Sequence, residues 1–343
     1  MFAPLIPVVL RHDNPFFETV SPVDLKQYDE GARGSHMKQR RPAAIVAIAA
    51  AVAVLLVAFA YAQSPKTAAD SAAAWSSRLT ADGQPDMQGT WVNFDSTPFE
   101  ADQEAPSLFG NPVNPAAHWA DHDSPLSPTR RSMVVDPPNG RVPVMKWAED
   151  KRDYDLAHLE DAPQHETPWV RCITRGVPGG MFPAGYNNGY EIIQIPGYVV
   201  IAYEMIHETR IIPLDGGPHV GANIRMWNGD ARGHFEGNTL VVETTNFNDK
   251  GVIGTSAATG RIRGIPHSEE MHVVERFTRI SEDVINYSVT ITDPKVYTAP
   301  WTVALPLNRD PSYKIFEYAC HEGNLALPNE LSAGRARERA AAK

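Results

Sequence analysis

The second half of the chain alternates apolar and polar residues with a period of two, which is the pattern of half-buried β-strands. Turn-forming residues separate these runs at Pro196-Gly197, Gly237-Asn238 and Ser281-Glu282-Asp283, and each of these turns is typical of a hairpin. Because hairpin follows hairpin without helical crossovers, the sequence predicts an all-β fold. We expect an antiparallel meander that closes into a barrel or packs as a sandwich.

The pattern is weaker towards the N-terminus. Residues 86–94 form the first predicted strand, and residues 131–143 predict a strand followed by a Pro-Pro-Asn-Gly turn. Between them the stretch 95–168 is rich in Pro, Asp and His with little periodicity, so we expect long N-terminal loops with short helices, one of them at 114–123. The remaining predicted elements are strands at 301–307 and 314–320 and a short helix or polar tail at 329–343.

Residues 37–62 have the pattern of a targeting segment. Basic residues from Lys38 precede an unbroken apolar core at 43–60, and Ala60-Tyr61-Ala62 is a signal-peptidase site. Cleavage there would start the mature chain near Gln63, and an uncleaved membrane anchor is the alternative. The preceding residues 1–36 read as a vector-derived leader or as the product of a mis-called start codon.

These boundaries predict a simple organisation. A signal peptide at 37–62 and a flexible leader at 63–85 precede a single β-barrel-like domain at 86–328, and a polar tail ends the chain at 329–343. We therefore expect a periplasmic or secreted protein that contacts a membrane only if the signal segment stays uncleaved.

Charge and cysteine content limit the classes of binding partner that the protein can have. The formal net charge of −10 argues against a nucleic-acid surface, which needs a basic stripe. The chain has two cysteines, Cys172 and Cys320, and both lie in the part predicted to be exported. An oxidising compartment favours a disulfide between them, with two free thiols as the alternative. We expect a small-molecule ligand and no nucleic-acid partner.

Short motifs carry two resemblances. Gly89-Thr90-Trp91 on the first strand resembles the lipocalin signature, in which the tryptophan plugs one end of the barrel. Three longer motifs resemble a large uncharacterised family of secreted bacterial proteins: EMIHETRIIPLD at 204–215, GHFEGNTLVVETTNF at 233–247 and YACHEGN at 318–324. The second resemblance implies export and a β-rich fold, and it implies no activity.

The stretch YEMIHETR at 203–210 places four ionisable residues in an apolar run that predicts a strand. On one strand Glu204, Glu208 and Arg210 would share a face, and His207 would lie on the other. A structural Glu–Arg pair and a core histidine are one reading. The other is a ligand or acid–base site, which would need a bulge to bring Glu204 and His207 to the same ligand.

Two further segments converge if the disulfide forms. Asn187 and Asn188 follow Tyr186 in a Gly-flanked turn, and His321 directly follows Cys320. We predict His207 as a general base, with Glu204 or His321 as its partner. The predicted ligand-binding residues are Tyr186, Asn187, Asn188, Arg210, Trp227 and Trp301.

Known catalytic motifs do not match. His207 lacks the second histidine of H-E-x-x-H, no G-x-S-x-G elbow occurs, and the glycine spacing fits neither a P-loop nor a Rossmann turn. The pair His118 and His122 has helical ligand spacing, but such pairs are common by chance. We therefore predict no metal and no cofactor.

The sequence favours a cofactor-independent acid–base enzyme (isomerase, lyase or hydrolase) acting on a small organic molecule in a barrel pocket. A non-catalytic periplasmic binding protein for a hydrophobic molecule and an envelope structural protein are the alternatives. The interior of the barrel discriminates between the three readings, since a wet pocket, a dry pocket and no pocket would favour them in that order.

Overall fold

The computed structural model describes residues 77–93, 95, 97–102, 107–108, 111–112 and 130–343. Several sequence predictions lie outside these residues: the leader at 1–36, the signal peptide, the helix at 114–123 and the pair His118 and His122. The flexible leader predicted at 63–85 is described only from residue 77, where Leu79 and Pro85 form a β-bridge. None of the helices in the described part is long and apolar enough to cross a membrane.

The described chain is mostly β-structure. In chain order its strands are β1 (Gly89–Val92), β2 (Ser107–Leu108), β3 (Asn111–Pro112), β4 (Val134–Asp136), β5 (Gly189–Ile195), β6 (Tyr198–Tyr203), β7 (Thr209–Pro213), β8 (Asp230–Glu236), β9 (Thr239–Thr245), β10 (His272–Arg279), β11 (Val284–Thr292) and β12 (Trp301–Arg309). Two α-helices flank them, α1 (Lys146–Ala157) and α2 (Ala326–Ala341).

Ten of these strands form one antiparallel sheet, in the order β7-β6-β5-β1-β12-β11-β10-β9-β8 with β4 added on β12. The sheet consists of two meanders, β5–β7 and β8–β12, and β1 joins them by pairing with β5 on one side and β12 on the other. The predicted turns at Pro196-Gly197, Gly237-Asn238 and 281–283 all connect neighbouring strands.

The sheet curls into a nearly closed barrel, so the predicted all-β, lipocalin-like fold is confirmed. Its two edge strands meet through side chains. A Cβ at Gly233 on β8 would lie 2.8 Å from Cγ2 of Ile212 on β7 and 2.9 Å from Cδ2 of Leu214. Only glycine leaves room for this approach.

Alternate residues of the strands point inward and pack as one hydrophobic core. Trp91 of the G-x-W motif is fully buried in this core, where its indole N–H donates to the Met87 carbonyl at 2.9 Å and the Arg279 guanidinium lies 5.4 Å from its ring. Trp301 is also fully buried. The interior is therefore packed with side chains at these positions.

The interior also holds a buried ion pair. Arg210 on β7 binds Glu275 on β10 through two N–H donors, and the hydroxyls of Tyr203 and Tyr287 complete the network. Every member is buried, and burial of such a pair requires hydrogen bonds of this kind.

The prediction of a single strand through 203–210 is wrong. Strand β6 ends at Tyr203, and β7 begins at Thr209. A 3₁₀ turn at Met205–His207 lies between them, with φ of 52° at Ile206 and 42° at His207. The Tyr203 N–H donates to the Glu208 carbonyl at 2.8 Å and closes a hairpin. The alternating faces predicted for Glu204, His207 and Glu208 therefore do not exist.

The strand predicted at 314–320 is also absent, because side chains from the 203–210 hairpin replace a sheet ladder. The Phe316 N–H donates to Oε1 of Glu204, and the Tyr318 carbonyl accepts a hydrogen bond from His207. Of the two readings of 329–343, the helix is confirmed: α2 begins at Ala326 and ends at Ala341.

Candidate functional site

The 203–210 hairpin joins distant segments of the chain. The buried Glu204 carboxylate accepts hydrogen bonds from the Tyr313 hydroxyl at 2.7 Å and from the Phe316 N–H at 3.1 Å. Glu208 binds the Thr174 hydroxyl at 2.7 Å and also contacts Asn228. Both carboxylates hold loops against the barrel, so their role is structural.

His207 is exposed, and its Nδ1 lies 2.7 Å from the Tyr318 carbonyl oxygen. Because a carbonyl only accepts, Nδ1 carries the proton and Nε2 is the basic nitrogen of the neutral ring. His321 is exposed in the turn after Cys320. The His207 backbone N–H donates to the Glu204 carbonyl at 3.1 Å, but among the described residues the His207 side chain has no hydrogen bond with Glu204 or His321.

The predicted ligand-binding residues occupy different environments. Asn188 is buried, and its amide exchanges two hydrogen bonds with the backbone of Ala184. Asn187 adopts φ of 52° in the same turn. Arg210 and Trp301 belong to the packed interior. Only Tyr186 and Trp227 line the two cavities described below.

The predicted disulfide is confirmed. Cys172 and Cys320 are bonded with a sulfur–sulfur distance of 2.08 Å and a Cα–Cα distance of 5.6 Å. The bridge brings the turn at 184–188 towards 318–324, as expected from the sequence. Tyr186 and Tyr318 stack with ring centroids 6.1 Å apart, and their hydroxyls are 3.2 Å apart.

A cavity of about 510 Å³ opens beside this bridge, lined by Trp169, Tyr186, Glu317, Tyr318, Cys320 and Glu322 among others. We call it the disulfide cleft. Neither His207 nor Glu204 lines it, although His207 contacts Tyr318 through the backbone carbonyl.

A second cavity, of about 500 Å³, lies between α1, the segment 164–171 and the loops at 249–252 and 264–266. We call it the helix-side cavity. It combines ionisable side chains with apolar walls from Trp227, Leu156 and Val252. A concave pocket with a few converging polar groups is the usual form of a small-molecule site.

Glu166 is the most perturbed acid among the residues that line the helix-side cavity. It is 5% exposed, and burial raises its pKa from an ordinary 4.5 to about 7, assisted by a hydrogen bond with the carboxyl of Glu330 on α2. The charge of Arg263 and the Thr167 N–H act in the opposite direction. A carboxyl poised near neutral pH can donate or accept a proton.

His165 lies beside it, half-buried, with Nδ1 at 2.9 Å from Oδ1 of Asp155. The other carboxylate oxygen of Asp155 accepts a hydrogen bond from Lys151 at 2.7 Å. Since a carboxylate only accepts, Nδ1 carries the proton and Nε2 is left as the basic nitrogen. Tyr154 packs edge-on against the imidazole with ring centroids 5.6 Å apart.

Cationic side chains complete this cavity. Arg171 and Lys250 line it, and the structure gives neither side chain an ion pair among the described residues. The Thr167 hydroxyl, in a residue 4% exposed, also lacks a hydrogen-bond partner there. These groups can receive an anionic ligand.

The sequence pattern did not indicate His165 and Glu166, which lie in the aperiodic stretch 95–168, or Arg171, which follows it directly. The available signal was the run HETPWVRC at 165–172, in which a histidine and a glutamate precede a tryptophan, an arginine and a bridged cysteine.

Comparison with known proteins adds no assignment. No family model, no curated protein and no solved structure matches this chain. Within the described residues, no group of three or more His, Cys, Asp and Glu side chains could hold a metal ion. The candidate chemistry of the site therefore depends on its own residues.

Proposed function

We propose that the protein is an exported enzyme that applies acid–base chemistry to a small organic anion in the helix-side cavity. Export is supported by the signal-peptide pattern and by the disulfide between Cys172 and Cys320. The pocket predicted inside the barrel is not found, because the described residues pack that interior with side chains. That result alone would favour the structural reading, so the enzyme proposal depends on the helix-side cavity, for which the barrel is the scaffold.

One observation carries the proposal: an oriented imidazole and a buried carboxyl, His165 and Glu166, line the same cavity. Asp155 fixes the His165 ring so that Nε2 is available as a base. Glu166 is the matching proton donor. Removal of a proton by one group and its return by the other suits isomerisation, elimination and assisted hydrolysis.

The anionic character of the substrate follows from the surrounding charges. The Arg171 guanidinium can bind a carboxylate or phosphate through two parallel hydrogen bonds. Trp227 offers an apolar wall for the rest of the molecule. In this proposal Glu204 and His207 hold the 313–320 segment in place and do not touch the substrate.

The test begins with thermal-shift screening of the mature, oxidised protein against small carboxylates and phosphates, because a ligand of the native state raises its melting temperature. Hits are then incubated with the protein, and conversion is followed by NMR. We expect Arg171→Met to lose the shift. Arg276→Gln, an exposed change on β10, is the control and should keep it.

Glu166→Gln and His165→Gln separate binding from chemistry. Each should bind the hit but lower its turnover by about 10²–10⁴-fold, the usual contribution of a general acid or base. Parent-like turnover in both variants would refute the catalytic assignment. Binding without turnover in the parent would establish a carrier, and binding that survives Arg171→Met would refute the anion site.

A further inference from the structure

The disulfide cleft has a distinct chemical character. Its walls are the aromatic rings of Trp169, Tyr186 and Tyr318, and the Trp169 and Tyr186 ring centroids lie 6.3 Å apart. Trp169 and Tyr318 also pack against a small buried cluster of Ala184, Met205 and Ile206. The rings therefore rest on a packed floor.

The two sides of the cleft are fastened to each other. Cys172 and Cys320 cross it covalently, and the Asn324 amide donates to the Val170 carbonyl at 3.2 Å and to the Cys172 sulfur at 3.1 Å. A site held in this way does not need to order itself on binding, so less affinity is lost to side-chain entropy.

The charge of the cleft is negative. Glu317 and Glu322 are its charged lining residues, and no Lys or Arg is among the described residues that line it. The neutral donors of the cleft are the Asn324 amide, which already has partners, the hydroxyls of Tyr186 and Tyr318, which lie 3.2 Å apart and bond each other, and the Trp169 indole N–H. The two carboxylates only accept. A neutral sugar needs donors as well as acceptors from its site, whereas a cation needs only acceptors and ring faces.

One of these rings already contacts a cationic side chain of the protein. The buried Arg175 guanidinium lies 5.6 Å from the centroid of Trp169. The attraction of a cation to an aromatic face is strongest for tryptophan and grows when water is excluded. A cation in the cleft would share the Trp169 ring with this guanidinium, so most of its stabilisation must come from the rings of Tyr186 and Tyr318 and from the two carboxylates.

We propose that the disulfide cleft binds a small organic cation that carries a quaternary or substituted ammonium group. A bare metal ion would lose its hydration shell to rings that cannot replace it. A trimethylammonium group is weakly hydrated, covers aromatic faces with its methyl groups and meets the two carboxylates at the rim. This site is separate from the helix-side cavity, and its ligand has the opposite charge.

Choline and its uncharged isostere, 3,3-dimethylbutan-1-ol, form the matched probe pair, since they differ only in nitrogen against carbon. Titration calorimetry on the mature, oxidised protein should show choline binding at least about tenfold more tightly, the size of a desolvated cation–π contact. Equal affinity would reduce the cleft to an apolar pocket and overturn the proposal. Binding of methyl glucoside in place of choline would also overturn it.

Substitutions in the disulfide cleft test whether choline binds there. The double change Glu317→Gln and Glu322→Gln alters exposed residues and should weaken choline while leaving the melting temperature unchanged. Tyr318→Ala should abolish binding. The controls are Glu270→Gln and Tyr198→Ala, both at exposed residues that do not line the cleft. Parent-like choline affinity in the first double variant and in Tyr318→Ala would place the ligand elsewhere and refute the assignment.

The trimethylammonium group of choline occurs both in the free molecule and in the headgroup of phosphatidylcholine lipids. Co-sedimentation with phosphatidylcholine vesicles, with phosphatidylglycerol vesicles as the control, distinguishes these sources. We expect free choline to bind and the vesicles to remain unbound, because a cavity of about 510 Å³ suits a small molecule. Vesicle binding without choline binding would overturn the small-molecule form of the proposal.

Discussion

Arg210 on β7 and Glu275 on β10 face each other inside the barrel, with Nη1 and Nη2 of the arginine at 3.0 and 2.6 Å from the two carboxylate oxygens. The strands are distant in the sheet order, so the pair spans the interior. Burial disfavours the guanidinium, but the carboxylate of Glu275 outweighs it and raises the pKa of Arg210 above its ordinary value. Arg210 therefore stays charged and serves the fold.

Arg210→Met should destabilise the protein by about 3–5 kcal/mol, because it leaves the Glu275 charge buried without its partner. The double variant with Glu275→Leu should lose less than the sum of the single changes, since the two residues act as a unit. Urea unfolding measures both. Arg276→Gln breaks an exposed pair with Glu236 and is the control. Additive losses would show that the pair contributes no coupling.

Glu204→Gln should loosen the segment at 313–320 and leave the barrel intact. The amide keeps one acceptor, so one of the hydrogen bonds to Tyr313 and Phe316 is weakened, at a cost of about 1–3 kcal/mol. Hydrogen exchange should quicken at 313–320 and stay unchanged in β9–β11. Glu191→Gln on β5 is the control. Unchanged exchange would remove the anchoring role and return Glu204 to the list of catalytic candidates.

The disulfide closes a long loop, with 148 residues of sequence separation between Cys172 and Cys320. Replacing both cysteines with serine should lower the free energy of unfolding by about 5 kcal/mol on the loop-entropy model. Urea unfolding of the oxidised parent and the variant measures the loss. If the variant is as stable as the parent, the unfolded chain is already compact without the disulfide. The same variant should lose the fixed geometry between Tyr186 and Tyr318.

The local signals of the sequence predicted the hairpins well. Gly237 adopts φ of 56°, so the Gly-Asn turn between β8 and β9 needs no tertiary support. The disulfide was equally predictable from the sequence, since two cysteines allow a single intramolecular pairing. By contrast, the placement of β1 between β5 and β12 depends on contacts far apart in sequence. No local pattern contains that information.

The hairpin at 203–210 was missed for a different reason. Ile206 and His207 have positive φ, a conformation that β-branched residues rarely adopt, and the surrounding apolar residues predict an extended strand. Tertiary contacts from Glu204, His207 and Glu208 stabilise the turn instead. The helix-side cavity was unpredictable on similar grounds, because α1 and three separate loops meet only in the folded chain.

Glu166 makes the stability of the protein depend on pH. Its pKa in the folded state, about 7, lies above the ordinary 4.5, so the native state binds this proton more tightly than the unfolded state does. The resulting stabilisation is complete below pH 4.5 and is lost as the pH rises to 7. Above that range a carboxylate remains buried next to Glu330, opposed in part by the charge of Arg263.

Glu166→Gln removes this dependence, because an amide is neutral at every pH. The variant should match the parent at acidic pH and exceed its free energy of unfolding by about 3 kcal/mol above neutral pH, the equivalent of the pKa shift. Urea unfolding measures this difference in the free energy of unfolding from pH 4.5, the ordinary pKa of the carboxyl, up to pH 8. Glu149→Gln, at a residue on α1 that does not line the helix-side cavity, is the control. If the curves of parent and variant run parallel, Glu166 is ionised throughout and cannot serve as the proton donor.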